Sequence, residues 1–173
     1  MNKIKKNLFI FIFLFFYMSN FSYSESMKDI GLKGNLNDVT RIQKITMFDN
    51  YFEPASLNVK EGETILFKIV NSGNLVHEFN IGTKEMHSRH QSEMQTLVDN
   101  EILLPDKIDF NRMKILNETN KNLHHSHSNS VLLAPKQKSE LIWKFLKNSN
   151  IEFACNVPGH YEVGMFGEIA FNH

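Results

Sequence analysis

The chain has almost no cysteine: Cys155 is the single one in 173 residues, which excludes an internal disulfide as the device that holds the fold. In an exported protein a lone thiol is paired between molecules, reactive, or bound to a metal. An excess of positive charge is also missing. Lys and Arg total 19 against 19 Asp and Glu, so the basic footprint of a nucleic-acid-binding protein is absent. Beyond the first two dozen residues, no stretch is long and apolar enough for a membrane helix. No internal repeat is visible.

The one strongly apolar run lies at the start. Lys3, Lys5 and Lys6 precede the run Leu8 to Met18, and small residues follow, with cleavage expected between Ser24 and Glu25. Residues 1–24 thus read as a secretory leader, and the mature protein is expected in the periplasm; an uncleaved N-terminal anchor is the weaker alternative. Residues 25–173 suit one domain with a real core. Without the three leader lysines, 16 basic residues stand against 19 acidic ones, a net charge of −3.

β signals occupy both ends of the mature chain. "SLNVKEGETILFKIVNSG" reads as two runs around a Glu61-Gly62 turn, "IQKITMFDNYFEP" as a strand entering an Asp49-Asn50 turn, and "HEFNIG" as a short strand ended by Gly82. Near the C-terminus, Leu141, Trp143 and Phe145 share one face, as do Ile151, Phe153 and Cys155, and Ile169 and Phe171 point inward. Short strands with Gly, Pro and Asn punctuation predict an all-β, antiparallel sandwich. Residues 83–130 break that rhythm. Thr83 is placed to cap a helix over "KEMHSRHQSEMQTLVD", and the asparagine-rich stretch after it reads as part of a long insertion, partly helical around Lys107 to Leu116.

The lone cysteine lies in "FACNVPGHYEVGMFGEI", with the spacing Cys155-x4-His160-x4-Met165. Thiolate and imidazole suit copper or zinc; a thioether favours copper, because it is a soft ligand rarely used for zinc. Two histidines and a cysteine with a weak axial methionine make a type 1, or blue, copper site. Pro158-Gly159 permits a tight turn, and Gly164 and Gly167 return the loop to the next strand. The best candidate for the second imidazole is His77, which opens a strand after a Gly-Asn turn. Flanking Phe153, Tyr161 and Phe166 are expected to exclude water, although sandwich packing explains Phe153 equally well.

At "HEFNIG" and "CNVPGHYEVGMFGEI" the sequence resembles the cupredoxins, the plastocyanin and azurin family of blue copper proteins, and its ligand loop is most similar to rusticyanin and periplasmic copper-tolerance cupredoxins. The resemblance implies a Greek-key β-sandwich and one type 1 copper on His77, Cys155, His160 and Met165. It also implies that His160 lies near the surface, where electrons pass. Two features depart from the pattern: Glu78 follows His77 where many cupredoxins have Asn, Asp or Ser, and the 83–130 insertion is much longer than in the smallest members.

The insertion carries its own donors. Met86, His87, His90 and Met94 have helical spacing, and His124, His125 and His127 follow in "LHHSHS", a set with the chemistry for a second copper site if it is more than a solvated face. A dinuclear electron-transfer centre needs two cysteines on its loop, and a multicopper oxidase needs several His-x-His pairs; this chain has one cysteine there and one such pair. An enzyme is therefore not expected. The expected role is a one-electron carrier, with a copper-tolerance protein that binds or buffers the metal as the alternative. The expected partners are a copper ion and a redox protein. No nucleic acid and no stable membrane insertion after cleavage are expected, and the chain is expected to be a monomer.

Overall fold

A computed structural model describes residues 27–119 and 127–172. The expected leader and its cleavage site, and His124 and His125, lie outside those residues. In chain order the elements are α1 (Met27–Ile30), β1 (Leu32–Lys33), β2 (Arg41–Phe48), β3 (Tyr51–Glu53), β4 (Ser56–Val59), β5 (Thr64–Asn71) and β6 (His77–Gly82). After these come α2 (Lys84–Asp99), α3 (Phe110–Thr119), β7 (Ser130–Leu133), β8 (Lys138–Lys144), β9 (Glu152–Ala154) and β10 (Phe166–Phe171). No described helix is long and apolar enough to cross a membrane.

The strands form two five-stranded sheets in the orders β1-β8-β5-β2-β3 and β4-β10-β9-β6-β7. Aromatic side chains from both sheets meet between them. Phe67 of β5 lies 5.3 Å from Phe79 of β6, and Phe52 of β3 lies 5.1 Å from Phe153 of β9. All four are buried, so each contributes about 1.5–3 kcal/mol of burial alone. The sandwich is all-β as expected, but it is not purely antiparallel. β2 runs parallel to β5, and β4 runs parallel to β10. Side-chain alternation reports which face is buried and is blind to strand direction; the chain reaches β5 from β2 through β3 and β4, a crossover long enough to permit a parallel pair.

The strand at the insertion shows how its surroundings set burial. β10 alternates exposed and buried positions up to Ala170, whereas all six residues of β6 are buried. One face of β6 meets the other sheet, and α2 covers its far side. Thr83 caps α2 as expected: its hydroxyl oxygen accepts from the Met86 N–H at 3.2 Å. The second helix starts later than expected, at Phe110, because Asp109 caps it. The Asp109 Oδ1 accepts from the Arg112 N–H at 2.9 Å, and the chain ahead of it turns back in a Leu103–Ile108 bridge.

Candidate metal centre

The loop between β9 and β10 is closed on itself by its backbone. The Cys155 N–H donates to the Met165 carbonyl at 3.0 Å, and the Met165 N–H donates to the His160 carbonyl at 3.0 Å. Gly159 and Gly164 take φ values of +85° and +97°, a region open to glycine at little cost. A short, doubly closed loop thus fixes where Cys155, His160 and Met165 stand, and Met165 is fully buried. His77 reaches the same place from the first position of β6. Cys155 Sγ lies 3.3 Å from His160 Nδ1 and 3.9 Å from His77 Nδ1, and the two Nδ1 atoms are 3.2 Å apart. Three donor atoms converge on one point, each from a different polar group.

The surroundings orient these donors. His77 Nε2 lies 3.0 Å from Asp49 Oδ1, so the carboxylate accepts the ring's second N–H and turns Nδ1 toward the cysteine, as carboxylates do for metal-ligating histidines. Asp49 itself accepts from the Asn74 and Leu75 N–H groups at 2.9 and 3.1 Å. A side chain on Gly73 would stand 2.9 Å from His77 Nε2 and intrude on Asp49, which explains the glycine. The Glu78 backbone N–H donates to Cys155 Sγ at 3.3 Å. The departure at position 78 therefore leaves the sulfur's hydrogen bond intact, because the main chain supplies it.

Burial keeps these three donors neutral in the metal-free chain. Burial pushes the Cys155 thiol up to about 12. Burial and the neighbouring His77 push His160 down to about 4, and burial lowers His77 against the opposing pull of Asp49. The imidazoles thus offer neutral lone pairs, and the thiol gives up its proton only to a partner that supplies positive charge, which is what a bound metal does. Of the aromatics expected to shield the site, Phe153 belongs to the core between the sheets. Tyr161 stacks on Phe166 at 5.2 Å, and Phe166 is 46% exposed. This pair lies toward solvent, and the Tyr161 hydroxyl donates to Glu152 at 2.6 Å.

The donors of the insertion separate into two groups. His87, His90, Met94 and Leu97 form the buried stripe of α2 against the sheet. His87 is buried beside Gly82, and neither ring nitrogen makes a well-formed hydrogen bond. Met94 lines a cavity with Glu78, Phe110 and Met113. His90, by contrast, meets His127 and Glu93, the three presenting donor atoms within 4.8 Å of one another, and Met86 lines the adjoining cavity. Sequence reasoning missed Glu93, Asp49 and Asn156, whose amide donates to Glu78 at 2.8 Å. Glu93 was legible as the residue three after His90 on the same helix face; Asp49 reads in sequence only as a turn residue.

Soft sulfur and paired imidazoles at one end of a two-sheet sandwich are what single-domain type 1 copper proteins are built from, and this fold with these donors falls in that class. The His, Cys, His set, with Met165 buried beside it, suits one type 1 copper. The family model of the cupredoxin-like domain matches residues 8–166, and the chain belongs to that family. It is 38% identical over 136 residues to the copper-resistant cuproprotein CopI of Pseudomonas aeruginosa, covering 75% of each chain. It is 30% identical over 140 residues to the protein of that name from Rubrivivax gelatinosus, covering 80% of this chain and 71% of the relative. Among solved structures, auracyanin B shares the fold with a TM-score of 0.58 at 15% identity, over 83% of this chain and 96% of the other.

Proposed function

We propose that the mature protein works in the periplasm as a copper-resistance cupredoxin, holding one copper on His77, Cys155 and His160 with Met165 as the weak axial ligand. The convergence of the three donors within 4.8 Å carries this reading. Two relatives named as copper-resistant cuproproteins, at 38% and 30% identity, support resistance as the purpose. The leader-like sequence of residues 1–24 supports export. Bound copper would supply one-electron chemistry; the chain's part is to hold a thiolate, two neutral imidazoles and a thioether in a fixed arrangement, so that little rearrangement accompanies a change in oxidation state.

The one-electron carrier, placed first on sequence grounds, becomes the second reading. One observation favours it: of the three converging donors, His160 alone is not fully buried, and Val163 in the same loop is 64% exposed. That edge is where a redox protein would dock.

Cu(II) titration of the mature protein, followed by visible absorption and bound metal per chain, tests the centre. An intense thiolate-to-copper band that is absent from Cys155→Ala is the expected result; a wild-type protein without the band would overturn the assignment. Growth in copper separates the two roles. A strain lacking the protein should become copper-sensitive and recover with the wild-type chain but not with Cys155→Ala, whereas unchanged tolerance would leave the carrier.

A further inference from the structure

His90, Glu93 and His127 form a group that the type 1 centre does not use. His90 and Glu93 stand three residues apart on α2, which puts both on one face, and His127 arrives from the chain just before β7. His90 Nδ1 lies 2.8 Å from Glu93 Oε2, His127 Nε2 lies 3.4 Å from the same oxygen, and the two rings are 5.0 Å apart, edge to face. The group opens on a cavity of about 250 Å³ lined also by Asn80, Met86, Arg89 and Asn129. His90 Nε2 lies 2.9 Å from Glu78 Oε1. A carboxylate holding the far nitrogen of an imidazole fixes the ring with its near nitrogen aimed at the other two donors, the arrangement that supports ligating histidines elsewhere. A metal ion there would take the place of the proton that lies between Nδ1 and Glu93.

We propose that His90 Nδ1, Glu93 Oε2 and His127 Nε2 form a second metal site, separate from the cysteine centre, for a borderline divalent cation, Zn(II) or Cu(II). Two imidazoles and a carboxylate without a thiolate select that class over Cu(I). Three protein ligands leave the remaining positions to water from the cavity. Arg89, the nearby cation, is engaged by Glu85 at 2.8 Å, and Glu93, with its side chain 42% exposed, faces the opening. The inference rests on the copper-resistance reading only for the choice of Cu(II) as a physiological cargo; the ligand set stands independently of it.

The test uses the mature chain with Cys155→Ala, so that failure of the cysteine centre cannot be confused with failure of this one. Zn(II) titration by calorimetry and Cu(II) titration by electron paramagnetic resonance are run in parallel. The expected result is one saturable ion per chain with at least one of the two metals, weakened about ten-fold or more by Glu93→Gln and by His127→Ala. Replacement of His124 and His125 by Ala should leave it within about two-fold. Glu93→Gln preserves shape at a half-exposed position and should fold normally, which circular dichroism checks. The proposal is overturned if neither metal binds up to about 1 mM. It is also overturned if binding survives both substitutions, or if it disappears with His124 and His125, which would leave His90 as a purely structural bridge between Glu78 and Glu93.

Discussion

Asp49 is the residue on which the rest of the centre turns. It lies in the β2–β3 turn, 28 positions from His77, and its carboxylate both orients the imidazole and ties down the Asn74–Leu75 backbone. Asp49→Ala should leave the three donors present but let His77 rotate, and copper affinity in competition with a chelator should fall about ten- to a hundred-fold. Gly73→Ala attacks the same contact from the other side and should weaken copper binding in the same direction; an unchanged affinity in both variants would mean that His77 is held by the strand alone. The contrast in legibility has a physical basis. Cys155, His160 and Met165 could be read from the chain because one loop carries them at fixed spacing, and His77 because a strand beginning with histidine was the remaining donor. Asp49 could not, since its role exists only once two turns distant in sequence are folded against each other.

The helix α2 shows what an element's environment does to residues that look functional. Its bounds follow from the Thr83 cap and a run of good helix formers, and the structure gives Lys84–Asp99, the same residues. Thr83→Ala should cost about 1 kcal/mol in denaturant unfolding. Its histidines were visible, but which of them would face the sheet was set by packing against β6. His90 sits between two carboxylates: burial alone would lower its pKa, yet Glu78 and Glu93 raise it from 6.5 to about 9. His77, His87 and His160 are shifted the opposite way, chiefly by burial. A raised histidine stabilises the fold fully below 6.5 and loses that contribution as pH climbs toward 9; lowered histidines cost stability as pH falls below 6.5. Chelator-treated protein should therefore be most stable near pH 6.5 and lose on the order of 2 kcal/mol on the alkaline side. Glu78→Gln with His90→Gln removes both charges at similar size, and its stability should be flat between pH 6.5 and 9. A wild-type profile that is already flat would contradict the raised pKa of His90.

At the scale of the whole molecule, the centre joins parts that the sandwich brings together only at one end. Asp49 belongs to a turn of the first sheet, His77 to a strand of the second, and Cys155, His160 and Met165 to the loop joining β9 to β10. The sandwich was legible because alternation of apolar residues reports two-faced strands; the parallel pairs β2–β5 and β4–β10 were not, because alternation carries no direction. A cation held by His77 and the loop adds a link between β6 and the β9–β10 connection that exists only in the folded chain, so binding should stabilise the protein by mass action. With free copper at about a thousand times its dissociation constant, the gain is about 4 kcal/mol, which for a domain of this size raises Tm by roughly 10 °C. Because the buried thiol carries its proton up to about 12, each copper bound must displace that proton, and the gain should grow as pH rises across the neutral range. Calorimetric unfolding with and without one equivalent of Cu(II), at pH 6 and pH 8, checks both points. Cys155→Ala should retain the metal-free Tm within a few degrees and lose most of the copper-dependent increase. An increase that is the same in the variant would place the stabilising ion elsewhere, on the α2 face, and the thiolate would then be a spectator to copper rather than its anchor.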